Sequence, residues 1–283
     1  MADAALCDML PYTDQDYRND LCKTSDGRND KYISEIMIKR GWETLEWMKS
    51  KGVQWELIVC KYQNLDGLRE KHSKVNLEPG GTVMVRGLTD SLWSAVEKLI
   101  PGGRMTVWYD SPAHDLLATG DTIHGVRVRS RDAFTDVYGK VILVSGGFSS
   151  NPVMRRQYLG EGWDLVPMGG TKYNMCTMLN RAIAAGALPV GHWGACHASP
   201  QDANGPLTGD INVSPNMSRY AYPFGITVNI NRERFFDEGE HNFRHTYAKT
   251  WKKIGDQPGA KAFQIFDQAA LKLLPKGYET ANP

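Results

Sequence analysis

No apolar run in these 283 residues approaches the ~20 residues that a membrane-spanning helix needs, so no membrane span is expected. Cysteine is sparse: Cys7, Cys22, Cys60, Cys176 and Cys196 are odd in number, and no Cys-x-x-Cys pair occurs among them. Neither a disulfide framework nor a zinc ribbon is indicated. An excess of charge of one sign is missing as well. Lys and Arg number 33 against 32 Asp and Glu, a formal net charge of +1, which argues against nucleic acid or an anionic membrane surface as the main partner. The opening residues M-A-D-A-A-L-C-D carry no basic region followed by an apolar one, and a cytoplasmic address is expected.

What is present suffices for a core, since 41% of the residues are hydrophobic and 23% charged, the balance of a globular chain. The segment from Asp14 to Asn29 is polar and has no clean period. A helix is expected after Asp30, with Ile33, Ile36, Met37, Leu45 and Met48 on one face and Gly52 as its stop. Val53 to Val59 suits a strand, and Lys61 to Glu78 an exposed loop or hairpin. Leu88, Leu92, Val96 and Leu99 keep helical spacing between the breakers Pro79-Gly80-Gly81 and Pro101-Gly102-Gly103. Arg104 to Asp110 and Gly125 to Arg131 read as strands, the latter half-exposed.

The organising stretch is Lys140 to Asn151, K-V-I-L-V-S-G-G-F-S-S-N. The unbroken apolar run Val141 to Val144 predicts a strand covered on both faces, as in a parallel sheet. Gly146 and Gly147 then let the backbone turn sharply at the strand's carboxyl end, where ligands sit in open α/β sheets; the same residues also suit an ordinary turn. A complete dinucleotide fingerprint, G-x-G-x-x-G after a first strand, is lacking. The only G-x-G is Gly160-Glu161-Gly162, and Leu165 stands where the third glycine belongs.

Four blocks in order carry a family resemblance: V-I-L-V-S-G-G-F-S-S-N, Y-L-G-E-G-W-D-L, G-H-W-G-A-C-H from Gly191, and Y-P-F-G-I-T-V-N from Tyr222 running on through R-F-F-D-E-G-E-H-N-F-R-H-T-Y-A-K. The chain resembles the flavoprotein subunits of fumarate reductase and succinate dehydrogenase, and within them most resembles the tricarballylate dehydrogenase branch. The resemblance implies an α/β chain: a partial FAD-binding, Rossmann-like domain over residues 1–188, without the first strand and glycine fingerprint, followed by part of an α+β capping domain over 189–283. It implies FAD as cofactor, a small di- or tricarboxylate as substrate, and an electron-transfer partner that the sequence does not identify. The chain is expected to begin after the ADP-binding motif, to end inside the capping domain, and to be inactive in isolation.

The resemblance also distributes roles. Ser145, Gly146, Gly147 and Phe148 match the strand-end turn whose main chain lies along FAD, with Asn174 in the neighbouring cofactor loop. Val107 and Trp108 fall on the strand beside the adenine, although the residues alone suit a plain buried strand. His197, with His192 and His245, is expected to hold a substrate carboxylate, an imidazole being a hydrogen-bond donor that gains charge on protonation. Arg244 falls near the arginine that passes a proton to or from substrate carbon, and Glu238 and Glu240 are expected to take that proton onward. By itself, Arg244 suits a surface loop equally.

Two departures stand out. Cys176-Thr177-Met178 replaces a Gly-Asp-Gly turn, placing side chains where bare backbone approaches the cofactor. Ala221-Tyr222-Pro223 replaces the threonine and glutamate that grip fumarate. The spacings His192-x-x-x-Cys196-His197 and His241-x-x-x-His245 also admit a metal, but zinc sites declare a third ligand at tighter spacing, and no metal is assigned. A non-catalytic remnant acting as an interaction module without flavin is the alternative in another class.

Overall fold

The computed structural model describes residues 7–9, 11–57, 75–77, 83–210, 212–214, 217–239, 243–272 and 274. Helices and strands are mixed along the chain, as expected of the α/β class. The chain divides into two compact units, Met1–Tyr109 and Asp110–Pro283. The functional division expected at 188/189 therefore falls within the second unit.

The first unit pairs β1 (Cys7–Met9) in parallel with β3 (Val75–Leu77), and β2 (Gln54–Leu57) antiparallel with β4 (Val83–Arg86). Among the described residues its helices are α1 (Asp14–Thr24), α2 (Lys31–Ser50) and α3 (Leu88–Glu97). Helix α1 lies where the sequence shows no hydrophobic period, and a capping box explains it. The Thr13 side chain accepts from the Asp16 N–H, and the Asp16 carboxylate accepts from the Thr13 N–H at 2.8 Å, satisfying two donors that a helix start leaves open. Helix α2 starts as predicted, with Asp30 accepting from the Ile33 N–H at 2.9 Å. Its apolar stripe nevertheless stays in the open, Ile33 being 58% exposed. Of the Val53–Val59 strand, Gln54–Leu57 is observed, and Ile58 and Val59 lie outside the described residues, as does most of Lys61–Glu78.

Arg104 to Asp110 is not a strand. No ladder partner pairs with it among the described residues, and the segment is tethered instead by an edge contact of the Tyr109 ring with Trp93 of α3, centroids 6.2 Å apart.

The second unit opens with an antiparallel meander of β5 (Ala113–Thr119), β6 (Thr122–Ser130) and β7 (Ala133–Tyr138). Strand β6 contains the predicted Gly125–Arg131 strand but for its last residue, which turns at φ 53°. Arg127 and Asp136 face each other across β6 and β7 and pair side-on, Nε and Nη2 of the guanidinium donating to the two carboxylate oxygens at 2.7 and 2.9 Å. The expected buried strand at Val141–Val144 is then corrected by the structure. Residues 140–146 form no ladder and no backbone hydrogen bond among the described residues, and Ile142 and Val144 are 85% and 90% exposed. A parallel strand is held by neighbours on its flanks, and none of the described strands pairs with this segment.

Beyond it come α4 (Pro152–Leu159), α5 (Thr177–Ala184), a 3-10 turn at Tyr222–Phe224, β8 (Ile226–Asn229) antiparallel to β9 (Ala262–Ile265), α6 (Phe243–Gly255) and α7 (Gln268–Leu271). Buried side chains come from α4 (Met154), α5 (Met178), the 3-10 turn (Tyr222), β8 (Thr227, Asn229) and α6 (Thr246, Thr250). No described helix is long and apolar enough to cross a membrane.

Two glycines test this packing in opposite directions. A Cβ at Gly125 would stand 2.1 Å from the Val137 carbonyl oxygen, whereas one at Gly41 in α2 meets nothing within 4 Å. Gly125→Ala is expected to destabilise the second unit by about 1–3 kcal/mol, the usual cost of overpacking. Gly41→Ala should stabilise the first by about 0.5–1 kcal/mol, the helix-interior difference between the two residues. Thermal melting of both variants checks the pair of signs.

Candidate functional site

Of the residues expected to meet a cofactor, Ser145, Gly146, Gly147, Phe148 and Asn174 come together at one turn. Gly146 takes a left-handed φ of 73°, which glycine adopts freely, and a Cβ there would lie 2.3 Å from the Asn174 side-chain oxygen. The loop bearing Asn174 is stitched to the turn: the Ser150 N–H donates to the Asn174 carbonyl at 2.9 Å, the Cys176 N–H to the Gly147 carbonyl at 2.9 Å, and the Asn151 side chain to the Met175 carbonyl at 3.1 Å. Asn174 in turn donates to the Ser149 hydroxyl at 3.2 Å. Asn151 also caps α4, accepting from the Met154 N–H at 3.1 Å. Thus Ser145, Gly146, Gly147, Phe148 and Asn174 form one cluster, and Ser145 to Gly147 face outward.

The surroundings fit a flat, polar-edged cofactor. A Cβ built on Gly147 meets nothing within 4 Å, so its backbone stands clear. Beside it begins α5, whose N-terminus has no side-chain cap and presents unpaired N–H groups and the positive end of the helix dipole. Cys176 and Met178 do not crowd this face as expected. They are 2% and 3% exposed, turned into the interior, and the Cys176 thiol donates to Asn180 at 3.7 Å. Burial pushes that thiol's pKa up.

One segment links this turn to α6. Trp193 stacks on Phe148 at 5.9 Å with 15° between planes, and Tyr158 of α4 packs against both, at 5.5 Å from Phe148 and 5.0 Å from Trp193. Four residues on, the exposed His197 meets the ring of Tyr247 edge-on at 5.2 Å, and Tyr247 contacts Tyr220 at 5.0 Å. Burial, then the neighbouring Tyr220, raise the Tyr247 pKa, so it stays a neutral hydroxyl at physiological pH. His192 is also exposed in this segment.

Arg244 and His245 lie in the first turn of α6, one turn before Tyr247; Glu240 and His241 are outside the described residues. Helix α6 is fixed by the buried hydroxyl pair of Tyr222 and Thr246 at 2.5 Å. The approach to α6 is fixed by Glu238, which is 4% exposed. One of its oxygens accepts from the Thr227 N–H at 2.6 Å and the other from Arg234 at 2.5 Å. Burial alone would push its pKa up, but Arg234 and the Thr227 N–H outweigh it and hold the carboxyl below its ordinary value. A carboxylate so engaged anchors its loop, and a proton taken up there would sit on an oxygen that already accepts a bond.

Val107 and Trp108 belong to the first unit, on backbone without strand pairing, with Trp108 50% exposed. Trp193, Tyr158, Tyr220 and Tyr247 complete the clusters without having been singled out by sequence. Their only signal was aromatic density flanking the glycine and histidine blocks. Among the described residues no three His, Cys, Asp or Glu side chains gather as a metal site would require.

Comparison with known proteins gives the FAD binding domain family, matched over residues 3–195. The open conformation of a flavocytochrome c3 fumarate reductase shares the fold with a TM-score of 0.67 at 18% identity, over 93% of this chain and 43% of that one. The 3-ketosteroid-Δ4-(5α)-dehydrogenase of Rhodococcus jostii RHA1, in complex with 4-androstene-3,17-dione, does so at 0.57 and 18% identity, over 87% of this chain and 51% of that one. The 3-ketosteroid Δ1-dehydrogenase of Sterolibacterium denitrificans gives 0.52 and 20% identity, over 91% and 45%. The chain thus spans about half the length of these enzymes, or less. No curated protein matches.

Glu238→Gln tests the anchor. The depressed carboxyl stabilises the fold above its ordinary pKa of 4.5, and that contribution is lost as pH falls through the lower folded value. The variant is expected to lose about 1–3 kcal/mol at pH 7, the worth of hydrogen bonds to a charged group. As pH falls below 4.5 and through that lower folded value, the difference from the unsubstituted protein should narrow and close, as urea melts across the pH range would reveal.

Proposed function

The chain belongs to the FAD binding domain family, and from that premise we propose that it carries the flavin cradle of an oxidoreductase acting on a small di- or tricarboxylate, most like tricarballylate dehydrogenase. The observation that supports this best is the Cys176 N–H to Gly147 carbonyl bond, which sets an uncapped helix start beside a bare glycine backbone. When bound, FAD supplies hydride transfer to or from a carbon next to a carboxylate. The main chain of Ser145 to Phe148 orients the cofactor, with Asn174 holding the turn in shape. Val107 and Trp108 are assigned to the adenine end. Phe148, Tyr158 and Trp193 shield the site from water on one side.

Residues 1–188 form the cofactor part in this scheme and 189–283 the substrate part. His197, with His192 and His245, binds the substrate carboxylate, and Arg244 moves a proton at the substrate carbon with Glu240 as onward acceptor. Glu238 holds the loop in place. An electron-transfer partner and a cytoplasmic setting complete the scheme. A module that binds other proteins without flavin is the second reading, drawn from the exposed Ile142–Val144 segment.

Affinity for FAD is expected to be low. Without a third glycine after Gly160 and Gly162, the pyrophosphate lacks its usual helix N-terminus. Each missing charge-assisted hydrogen bond costs about 1.5–3 kcal/mol, so three weaken binding by roughly three to six orders of magnitude. Titration with flavin fluorescence as readout should show saturable binding in the micromolar to millimolar range, and Gly147→Val should weaken it at least tenfold. Absence of saturable binding would favour the flavin-free module.

In a flavin-loaded preparation that turns over, Arg244→Lys should lower kcat at least a hundredfold and change KM little, because the amine keeps charge but loses the planar fork. Equal losses in both would make Arg244 a binding residue only.

A further inference from the structure

Three rings gather at the start of α6, and two of them carry open hydrogen-bonding groups. His197 meets the Tyr247 ring with 80° between planes, and Tyr220 lies against Tyr247 at 55°. Neither the His197 imidazole nor the Tyr247 hydroxyl makes a hydrogen bond among the described residues. The polar groups around them are engaged: Thr246, one position before Tyr247, bonds with Tyr222, and Asn229 donates to Glu233 and Gln257. A tyrosine withdrawn from solvent ordinarily finds a partner for its hydroxyl. A half-buried phenol left open beside an exposed imidazole is the arrangement of a binding site rather than of packing.

We propose that Tyr247 binds substrate, its hydroxyl donating to the same carboxylate that His197 holds. The inference rests on the carboxylate reading of this site and adds to it a residue that the sequence did not single out. Chemistry selects the ligand. A phenol O–H and an imidazole N–H offer two donors side by side, and a carboxylate has two oxygens to receive them. Burial, then Tyr220, raise the Tyr247 pKa, so the hydroxyl keeps its proton and sets no negative charge against an anion. Placement agrees with the proposed chemistry. Tyr247 follows Arg244 by three positions of α6, about 4.5 Å along the helix and on a shared face. A carboxylate held at Tyr247 therefore sets its neighbouring carbon close to the turn that bears Arg244.

Tricarballylate and succinate, titrated separately into the full chain with FAD present and followed by calorimetry, test the assignment. At least one of the two is expected to bind saturably, and Tyr247→Phe to weaken that binding at least about tenfold, the worth of one hydrogen bond to a charged group. Melting should be unchanged in this variant, because the hydroxyl bonds to nothing among the described residues. In chains carrying tyrosine labelled with carbon-13 at Cζ, the resonance that disappears in Tyr247→Phe should shift as the acid is added, which a merely structural tyrosine would not show. Binding lost in His197→Ala but untouched by Tyr247→Phe, or a Tyr247 resonance that stays still at saturating acid, overturns the role of Tyr247 and leaves the carboxylate reading standing. Absence of binding by both acids overturns the proposal and the carboxylate reading together, and the fluorescence titration with FAD then shows separately whether the flavin cradle stands.

Discussion

The arrangement of the second unit rests on the hydrogen bonds that stitch the Gly146–Asn151 turn to the Asn174–Cys176 loop. The bonds from Cys176 to Gly147 and from Ser150 to Asn174 are short main-chain contacts between segments some 25 residues apart. Closing such a loop costs entropy, and the side chains of Asn151 and Asn174 help offset it by bonding across the same seam. The seam also sets what the turn can do. It holds Gly146 against Asn174, leaves Gly147 bare, and positions the first turn of α5 beside it. An uncapped helix start and an uncluttered backbone thus lie side by side at one point.

The other side of the unit is organised by buried polar pairs. Tyr222 and Thr246 fix α6 to the 3-10 turn, and Glu238 ties the loop before α6 to β8 through Thr227 while accepting from Arg234. Buried groups of this kind are costly unless paired, so each pair favours a single geometry. The 191–200 segment spans the two sides, with Trp193 on Phe148 and His197 on Tyr247. The turn and α6 are thereby joined through a few packed rings.

Much of the helical content was legible, because Asp30, Gly52 and the Leu88 to Leu99 spacing announce their helices through capping and periodicity. Helix α1 was hidden: its Thr13–Asp16 capping box is local, while the hydrophobic period it should accompany is absent. The strand expected at Val141–Val144 shows the limit of reading an apolar run as buried, since burial depends on neighbouring strands and not on the run. The turn at Gly146–Gly147 was legible from residue chemistry and resemblance together, whereas its link to Asn174 emerges only from the fold. The proton path was less so. Glu238 reads as a free acid in sequence, and only the fold reveals that Thr227 and Arg234 occupy both of its oxygens. The aromatic bridge through Trp193 and Tyr247 joins residues more than 40 positions apart, a relation no spacing rule expresses.

Hydrogen–deuterium exchange with and without FAD addresses the cradle most directly, because it reads individual backbone N–H groups and does not require turnover. A cofactor resting on the bare backbone of Gly147 and the open start of α5 should slow exchange over residues 145–151 and 174–180, and leave the β5–β6–β7 meander unchanged. Unchanged exchange in both of those segments under saturating FAD, or protection confined to other parts of the chain, would contradict a flavin site at this turn.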